Sequence, residues 1–197
     1  MLKELRPTIV LLVAFTIITG LIYPGIVTGL AQALFPHQAG GSLIVADGKI
    51  IGSELIGQNF TADKYFHGRP SAITGTDAKG NSIATPYDAS NSSGSNLGPT
   101  SKALITRVQG DAAKLRVGST APIPVDLVTT SASGLDPEIS PAGAAYQIPR
   151  VAKARGVSED KVAALVAAAT TQRAVGVLGE PRVNVLKLNM LLDGAGK

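Results

Sequence analysis

The chain has 197 residues, 18 Lys and Arg against 14 Asp and Glu, and no cysteine. The missing cysteines exclude a disulfide framework and thiolate zinc sites, and the absence of any basic run argues against a nucleic-acid partner. With no Trp and only eight Phe and Tyr, a core must be built from Val, Leu, Ile and Ala.

The first predicted element is a long apolar helix at residues 8–34. No charged residue occurs from Pro7 to Ala46, and residues 8–30 contain thirteen Ile, Leu, Val and Phe. Since about 20 apolar residues suffice to cross the ~30 Å hydrocarbon layer, the sequence predicts a transmembrane helix. The alternative is a cleaved secretory signal with a site near residues 31–33, which is disfavoured because signal cores usually have only ~7–15 apolar residues.

The charges that flank this helix predict its orientation. Lys3 and Arg6 precede it, and no Lys or Arg follows until Lys49. The positive-inside rule therefore places residues 1–7 in the cytoplasm and residues 35–197 outside it. The expected fold class is a single N-terminal transmembrane helix followed by one extracytoplasmic α/β (α+β) domain.

Several small or kink-prone residues lie along the apolar helix. Pro24 lacks an N–H, which predicts a bend near Gly20, and Gly25 and Gly29 form a G-x-x-x-G pair that lets another helix approach closely. Single small residues are also common in membrane helices without such a role. The residues expected to pack against a partner helix are Thr16, Gly20, Tyr23, Pro24, Gly25 and Gly29.

After the helix, a β-hairpin and a polar stretch are predicted. Residues 42–45 and 49–51 flank Asp47-Gly48, a pair that is typical of a hairpin turn because both positions favour positive φ. Residues 57–100 are rich in Gly, Ser, Asn, Thr, Pro and Asp, and are too long for an ordinary loop. This segment is either a functional surface or partly disordered.

Cap residues predict most of the remaining elements. Ser101 precedes a helix expected to end at Gly118, and residues 125–130 alternate like a strand. Ser140-Pro141 begins a helix that should break into two pieces at Pro149.

Two further caps lie near the carboxyl end. Ser158 precedes a helix whose inward residues should be Val162, Leu165, Val166 and Ala169. Asn184 could cap a helix over residues 185–192, but a strand at residues 183–185 fits the same pattern.

Reactive chemistry is sparse in this sequence. The only histidines are His37 and His67, and neither a nucleophile elbow nor a phosphate-binding glycine loop is present. Two other classes of function remain open: a membrane-tethered extracytoplasmic hydrolase that uses His67, and an anchored binding module.

Four short motifs occur in order along the chain. They are GRPS at 68–71, SSGSNLGP at 92–99, SGLDP at 133–137 with Ser140-Pro141, and LGEPRVNV at 178–185. With these motifs the chain closely resembles the C subunit of the Kdp-type potassium-transporting ATPase, over residues 6–193. Glu138 departs from the family pattern, in which a histidine is expected after Asp-Pro.

The resemblance implies a non-catalytic accessory subunit of a high-affinity, ATP-driven potassium uptake complex in the bacterial inner membrane. The implied partners are a channel-like potassium-binding subunit, a P-type ATPase subunit and, as a further companion, a small single-span subunit. The family member assembles or stabilises the complex, and acts as a catalytic chaperone that raises the ATP affinity of the ATPase subunit. No cofactor is expected on this chain, because potassium and ATP are handled by the partners.

The motifs also suggest where partners would touch the exported domain, with residues 68–72 and 91–100 nearest the channel-like subunit. The candidate interface residues are Gly68, Arg69, Pro70, Ser71, Ser93, Gly94, Ser95, Asn96, Leu97, Gly98, Asp136, Pro137, Glu180, Pro181, Arg182 and Asn184.

Overall fold

The computed structural model describes residues 2–117 and 119–194. The chain divides into two compact units, the first reaching Ser53 and the second beginning at Glu54.

The first unit begins with one long apolar helix, as the sequence predicts. It consists of α1 (Leu2–Ile17), a π-helical turn (Ile18–Ile22) and α2 (Tyr23–Leu34). Its segment Lys3–Leu34 contains an 18-residue window with a mean hydropathy of 2.3, and is long and apolar enough to cross a membrane.

The π-helical turn lies where the sequence predicts a bend. The Tyr23 N–H donates to the Ile18 carbonyl, five residues back, immediately before Pro24. Such single-turn π-bulges occur mostly inside α-helices, and they change which residues share a helix face. The helix thus passes Pro24 without ending, and it ends at Leu34 before the short α3 (Pro36–Ala39).

The predicted hairpin is confirmed. Strands β1 (Leu43–Ala46) and β2 (Lys49–Ser53) pair antiparallel, and the turn residues Asp47 and Gly48 have φ of 49° and 73°. Positive φ at both positions matches the twist of the flanking strands, which explains why this pair of residues forms the turn.

The second unit is a mixed helix and sheet domain, which confirms the α+β expectation. Its elements are β3 (Thr74–Thr76), β4 (Ser82–Ala84), α4 (Lys102–Leu115), β5 (Glu138–Ile139), α5 (Pro141–Arg155), α6 (Glu159–Ala169), β6 (Thr170–Thr171), β7 (Arg182–Asn184) and α7 (Val185–Leu192). Strands β3 and β4 form a hairpin, and β5, β7 and β6 form an antiparallel sheet with β7 in the middle.

The core of this unit lies among α5, α6, α7 and β7. Val151, Val162, Val183 and Leu188 are fully buried there, and each contributes roughly 1.5–3 kcal/mol by leaving water. Phe66, from the polar stretch 57–100, is also fully buried in this cluster. That stretch is therefore partly interior, although its composition suggests surface.

The predicted helix caps are confirmed. The side chains of Ser101, Ser140 and Ser158 accept hydrogen bonds from the backbone N–H three residues on, at 3.5, 2.9 and 3.4 Å. Asn184 accepts from the Lys187 N–H at 3.0 Å and is also the last residue of β7. Both interpretations of residues 183–192 are thus correct, since a short strand passes directly into a helix.

The predicted strand at residues 125–130 is wrong. Val125–Leu127 form a 3-10 turn, and the Thr129 hydroxyl donates to the Val125 carbonyl at 2.8 Å. The Asp126 carboxylate accepts the Ser140 N–H at 2.7 Å. Local side-chain bonds of this kind compete with a strand ladder, and period-two alternation alone does not supply a partner strand.

The predicted break at Pro149 is also wrong, because α5 runs unbroken from Pro141 to Arg155. Proline removes the N–H that would bond the Ala145 carbonyl four residues earlier. Ala145 and Pro149 are both exposed, so water can satisfy that carbonyl. The helix ends at Gly156 with φ of 65°, as predicted.

Helix α4 is less buried than its apolar stripe predicts. None of its described residues is buried, and Ile105 is 46% exposed. It ends at Leu115, while the predicted end at Gly118 lies outside the described residues.

Asn189 is the polar group on which the core depends most directly. Its side chain is 2% exposed, accepts the Phe66 N–H at 2.8 Å and donates to the Phe66 carbonyl at 3.0 Å. We expect Asn189→Leu to lower the free energy of unfolding by about 2–5 kcal/mol, because two buried backbone groups lose their partners. Urea titration of the full-length protein in detergent, followed by circular dichroism, measures this.

Asn189→Asp is the matched control. At a mildly acidic pH that keeps it protonated, the carboxylic acid retains an acceptor for the Phe66 N–H and an O–H donor for the Phe66 carbonyl, so its loss of stability should be the smaller of the two. An Asn189→Leu variant as stable as the parent would contradict this account of the core.

Candidate functional site

Two of the four motifs meet at Arg69. Its Nη1 lies 3.0 Å from Asp136 Oδ2, and its Nη2 donates to the Thr130 carbonyl at 3.2 Å. The two ion-pair side chains are 26% and 27% exposed, so their attraction is less screened than that of a surface pair. Arg69 therefore ties the first motif to the third, which are more than sixty residues apart in the sequence.

Tyr87, which lies in the polar stretch 57–100, holds the backbone of Arg69 in place. Its hydroxyl donates to the Arg69 carbonyl at 2.6 Å. Burial raises the pKa of Tyr87 to about 12, with Asp136 acting in the same direction, so the phenol stays protonated as a donor. The sequence offers no pattern that singles out Tyr87, and it was not among the predicted residues.

Two glycines make room for the Tyr87 ring. A Cβ added at Gly57 would lie 2.5 Å from Tyr87 Cε1, and one added at Gly68 would lie 2.4 Å from the hydroxyl oxygen. The Gly57 N–H also donates to the Leu135 carbonyl at 2.8 Å. Gly68 is thus explained by internal packing in this chain.

The second motif packs along the third. The Ser93 N–H donates to the Ser133 carbonyl at 3.0 Å, and the Ser92 hydroxyl donates to the same oxygen at 3.1 Å. A Cβ at Gly94 would lie 2.7 Å from the Ala132 carbonyl oxygen. Beyond Ser95 the motif turns outward, and residues 96–100 are exposed.

The fourth motif has a buried end and an exposed end. Asn184 is buried and donates to the Glu54 carbonyl at 2.8 Å, while Arg182 Nε lies 2.8 Å from Glu138 Oε1. Glu138, the departure from the family pattern, thus pairs with a residue of this motif. At the exposed end Glu180 pairs with Arg173 at 2.5 Å.

The predicted interface residues therefore fall into two groups. Those that are buried or half-buried are Gly68, Arg69, Pro70, Ser71, Ser93, Gly94, Ser95, Asp136, Pro137, Pro181 and Asn184. Those that are exposed are Asn96, Leu97, Gly98, Glu180 and Arg182. Only the second group is exposed on the surface of the second unit.

His67 does not form a hydrolase site. Its Nε2 lies 3.2 Å from the Ala62 carbonyl oxygen, and its backbone N–H donates to Gln147. Burial, together with the nearby Arg150, lowers the pKa of His67, so the ring is neutral at neutral pH. Among the described residues there is also no group of three or more His, Cys, Asp or Glu placed to hold a metal ion.

The packing around Tyr87 predicts the effect of a single methyl group. Gly68→Ala should lower the free energy of unfolding by about 1–3 kcal/mol, because the new Cβ overlaps the hydroxyl oxygen. Tyr87→Phe removes that oxygen, so in the double variant Gly68→Ala should cost less than it does alone. A double-mutant cycle measured by urea unfolding gives this coupling.

Gly98→Ala is the control, because a Cβ at Gly98 would meet no heavy atom within 4 Å among the described residues. It should leave stability unchanged to within about 0.5 kcal/mol. Equal effects at Gly68 and Gly98 would contradict the packing described here.

Comparison with known proteins identifies the family. The model for KdpC, described as the c chain of the K+-transporting ATPase, matches residues 5–194. The potassium-transporting ATPase KdpC subunit of Rhodopseudomonas palustris (strain TIE-1) is 62% identical, over 99% of this chain and 98% of that protein. The KdpC subunit of Methylorubrum extorquens is 60% identical over the whole of both chains.

These matches confirm the resemblance seen in the four motifs, and they do not favour the hydrolase or the binding module. They describe a subunit of a larger ATPase rather than a protein that is catalytic by itself. The chain belongs to the KdpC family.

Proposed function

We propose that this chain is the non-catalytic accessory subunit of a high-affinity, ATP-driven potassium uptake complex, which it assembles and stabilises. The observation that carries the proposal is the family match over residues 5–194. The chain has a long apolar helix and a folded domain whose motifs bind one another. Both features suit a subunit that acts by contacting the other subunits of the complex.

The proposed location is the bacterial inner membrane, crossed once by residues 8–34. Lys3 and Arg6 favour a cytoplasmic position for residues 1–7, and residues 35–197 are then extracytoplasmic. The threonine hydroxyls of the helix suit this placement, because those of Thr16 and Thr19 donate to backbone carbonyls four residues earlier at 2.7 and 2.6 Å. They need no partner in the hydrocarbon layer.

The apolar helix offers a surface for another membrane helix. A Cβ added at Gly20, Gly25 or Gly29 would meet no heavy atom within 4 Å among the described residues. The chain's own packing therefore does not require these glycines, whereas a closely approaching helix would. Thr16, Tyr23 and Pro24 complete the proposed contact surface.

The proposed partners are the channel-like potassium-binding subunit, the P-type ATPase subunit and the small single-span subunit. Potassium and ATP are assigned to those partners, and this chain binds no cofactor of its own. The exposed residues of the second and fourth motifs, 96–98 together with Glu180 and Arg182, are the best candidates for direct contact with the channel-like subunit. The half-buried motif residues act by holding those segments in place.

A role in raising ATP affinity must act at a distance. An extracytoplasmic domain cannot touch cytoplasmic ATP, so the effect has to be a coupling free energy carried by the partner subunits. Such couplings are typically about 1–3 kcal/mol, or roughly 5–150-fold in affinity. Reciprocity then requires that ATP also strengthen the binding of this chain to the complex.

Purification in mild detergent tests the proposed function. The tagged full chain, expressed with the other subunits of its complex, should copurify with them and with potassium-stimulated ATPase activity. Gly29→Leu should reduce the copurified partners about tenfold, because an added side chain keeps a neighbouring helix away.

Val27→Leu is the matched control, since it adds bulk on the opposite side of α2 and should retain the partners. Recovery of the chain alone, with full ATPase activity in the fraction that lacks it, would overturn the proposal.

The absence of cysteine allows a direct test of orientation. In Lys79→Cys, an exposed position of the second unit, a membrane-impermeant maleimide should label spheroplasts of the expressing cells. In Glu4→Cys the same reagent should react only after permeabilisation, because residue 4 is expected in the cytoplasm. The opposite labelling pattern would reverse the proposed topology.

A further inference from the structure

A groove of about 920 Å³ lies in the second unit between α4, α5 and residues 59–71. Phe60, Tyr87, Leu127 and Tyr146 are among the residues that line it. Its volume falls within the range of small-molecule and cofactor sites, which is roughly 300–1,000 Å³. Residues 68–71 of the first motif form part of its lining, and the other lining residues belong to none of the four motifs.

The groove carries more positive than negative charge. Its charged lining residues are Arg69, Lys114, Arg150 and Lys153 against Asp63 and Asp111. Arg69 is neutralised by Asp136, which lies outside the lining, and Asp111 is shared by Arg107 at 3.1 Å and Lys114 at 3.6 Å. Lys153 is exposed and makes no ion pair within residues 2–117 and 119–194.

Among the cations that line the groove, Arg150 is the one best placed to bind an incoming carboxylate. It donates to the Asp63 carbonyl at 2.6 Å and to Gln147 Oε1 at 2.7 Å, but its nearest contact with the Asp63 carboxylate is 4.0 Å. Burial lowers the pKa of Arg150, and the nearby Asp63 carboxylate acts in the opposite direction with a smaller effect. A guanidinium has five donors, so a further acceptor can be bound.

Helix α4, which forms one wall of the groove, is less buried than the helices of the core. None of its described residues is buried, whereas α5, α6 and α7 each contribute buried residues. The Tyr146 hydroxyl donates to the Leu115 carbonyl at 2.7 Å, and Arg107 donates to the Val128 carbonyl at 3.2 Å. Because few buried contacts stabilise α4, we expect its local stability to be lower than that of the core around α5 and α6.

We propose that this groove binds an extended, acidic peptide segment of another subunit of the complex. Carboxylates of that segment pair with Arg150 and Lys153, and its apolar side chains lie against Phe60 and Leu127. This inference rests on the proposed function, because it requires that the chain be part of a complex. Charge complementarity of this kind gives register and specificity as well as affinity.

Zero-length carbodiimide crosslinking of the purified complex, followed by mass spectrometry, tests the proposal. Lys153 should form an amide with an Asp or Glu of another subunit, and Lys153→Gln should abolish that product. Lys102 and Lys161 are exposed lysines outside the groove and should not form it.

Charge reversal gives an independent measurement on the same complex. Lys114→Glu with Lys153→Glu should reduce the retained partner about tenfold in moderate salt, whereas Lys102→Glu with Lys161→Glu should change it less than twofold. The midpoint of thermal unfolding should shift by at most about 4 °C in either double variant, since all four side chains are exposed and the exposed pair of Lys114 with Asp111 contributes little stability.

Three results would overturn the proposal. The first result is that Lys153 forms crosslinks only within the chain or with a second copy of it. The second is that the two double variants retain equal amounts of the partner subunit. In both cases the copurified complex would still support the proposed function. Failure of any subunit to copurify would reject the proposed function, and this inference with it.

Discussion

The second unit depends on the ion pair between Arg69 and Asp136, with the hydroxyl of Tyr87 bonded to the Arg69 backbone. Residues 57–100 contain only two three-residue strands, so few of their polar groups can be satisfied by regular secondary structure. Arg69 supplies a bond to a carboxylate and a bond to the Thr130 carbonyl from one side chain. Its planar fork of donors suits this task, which lysine could not perform in the same geometry.

This arrangement changes how the four motifs should be understood. Short Gly, Ser and Asn segments suggest a surface for partners, but Gly68, Gly94 and Ser93 are explained by contacts inside the domain. We propose that partners contact the exposed remainder of the same motifs and the groove between α4 and α5. The inward residues of the motifs fix the shape of this surface, and the outward residues form the surface itself. Substitutions of inward residues should therefore unfold the domain, whereas substitutions of outward residues should impair assembly with the other subunits.

Features that depend only on neighbouring residues were predicted correctly from the sequence. Ser140 and Asn184 cap their helices as predicted, because a cap involves only the next three residues. The strand expected at 125–130 failed because a strand needs a partner elsewhere in the chain. Phe66 and Tyr87 could not be identified for the same reason, since their contacts with Asn189 and Arg69 depend on the tertiary fold.

The glycines fall into two groups: those that the packing of the second unit requires, and those in the apolar helix for which the structure shows no internal contact. At Gly57 and Gly68 an added methyl group would overlap Tyr87, so the domain itself requires glycine there. At Gly25 and Gly29 it would meet no heavy atom within 4 Å in the described chain, although glycine weakens a helix by about 1 kcal/mol relative to alanine. We propose that close contact with another membrane helix offsets this cost, so that the apolar helix serves as a binding surface as well as an anchor.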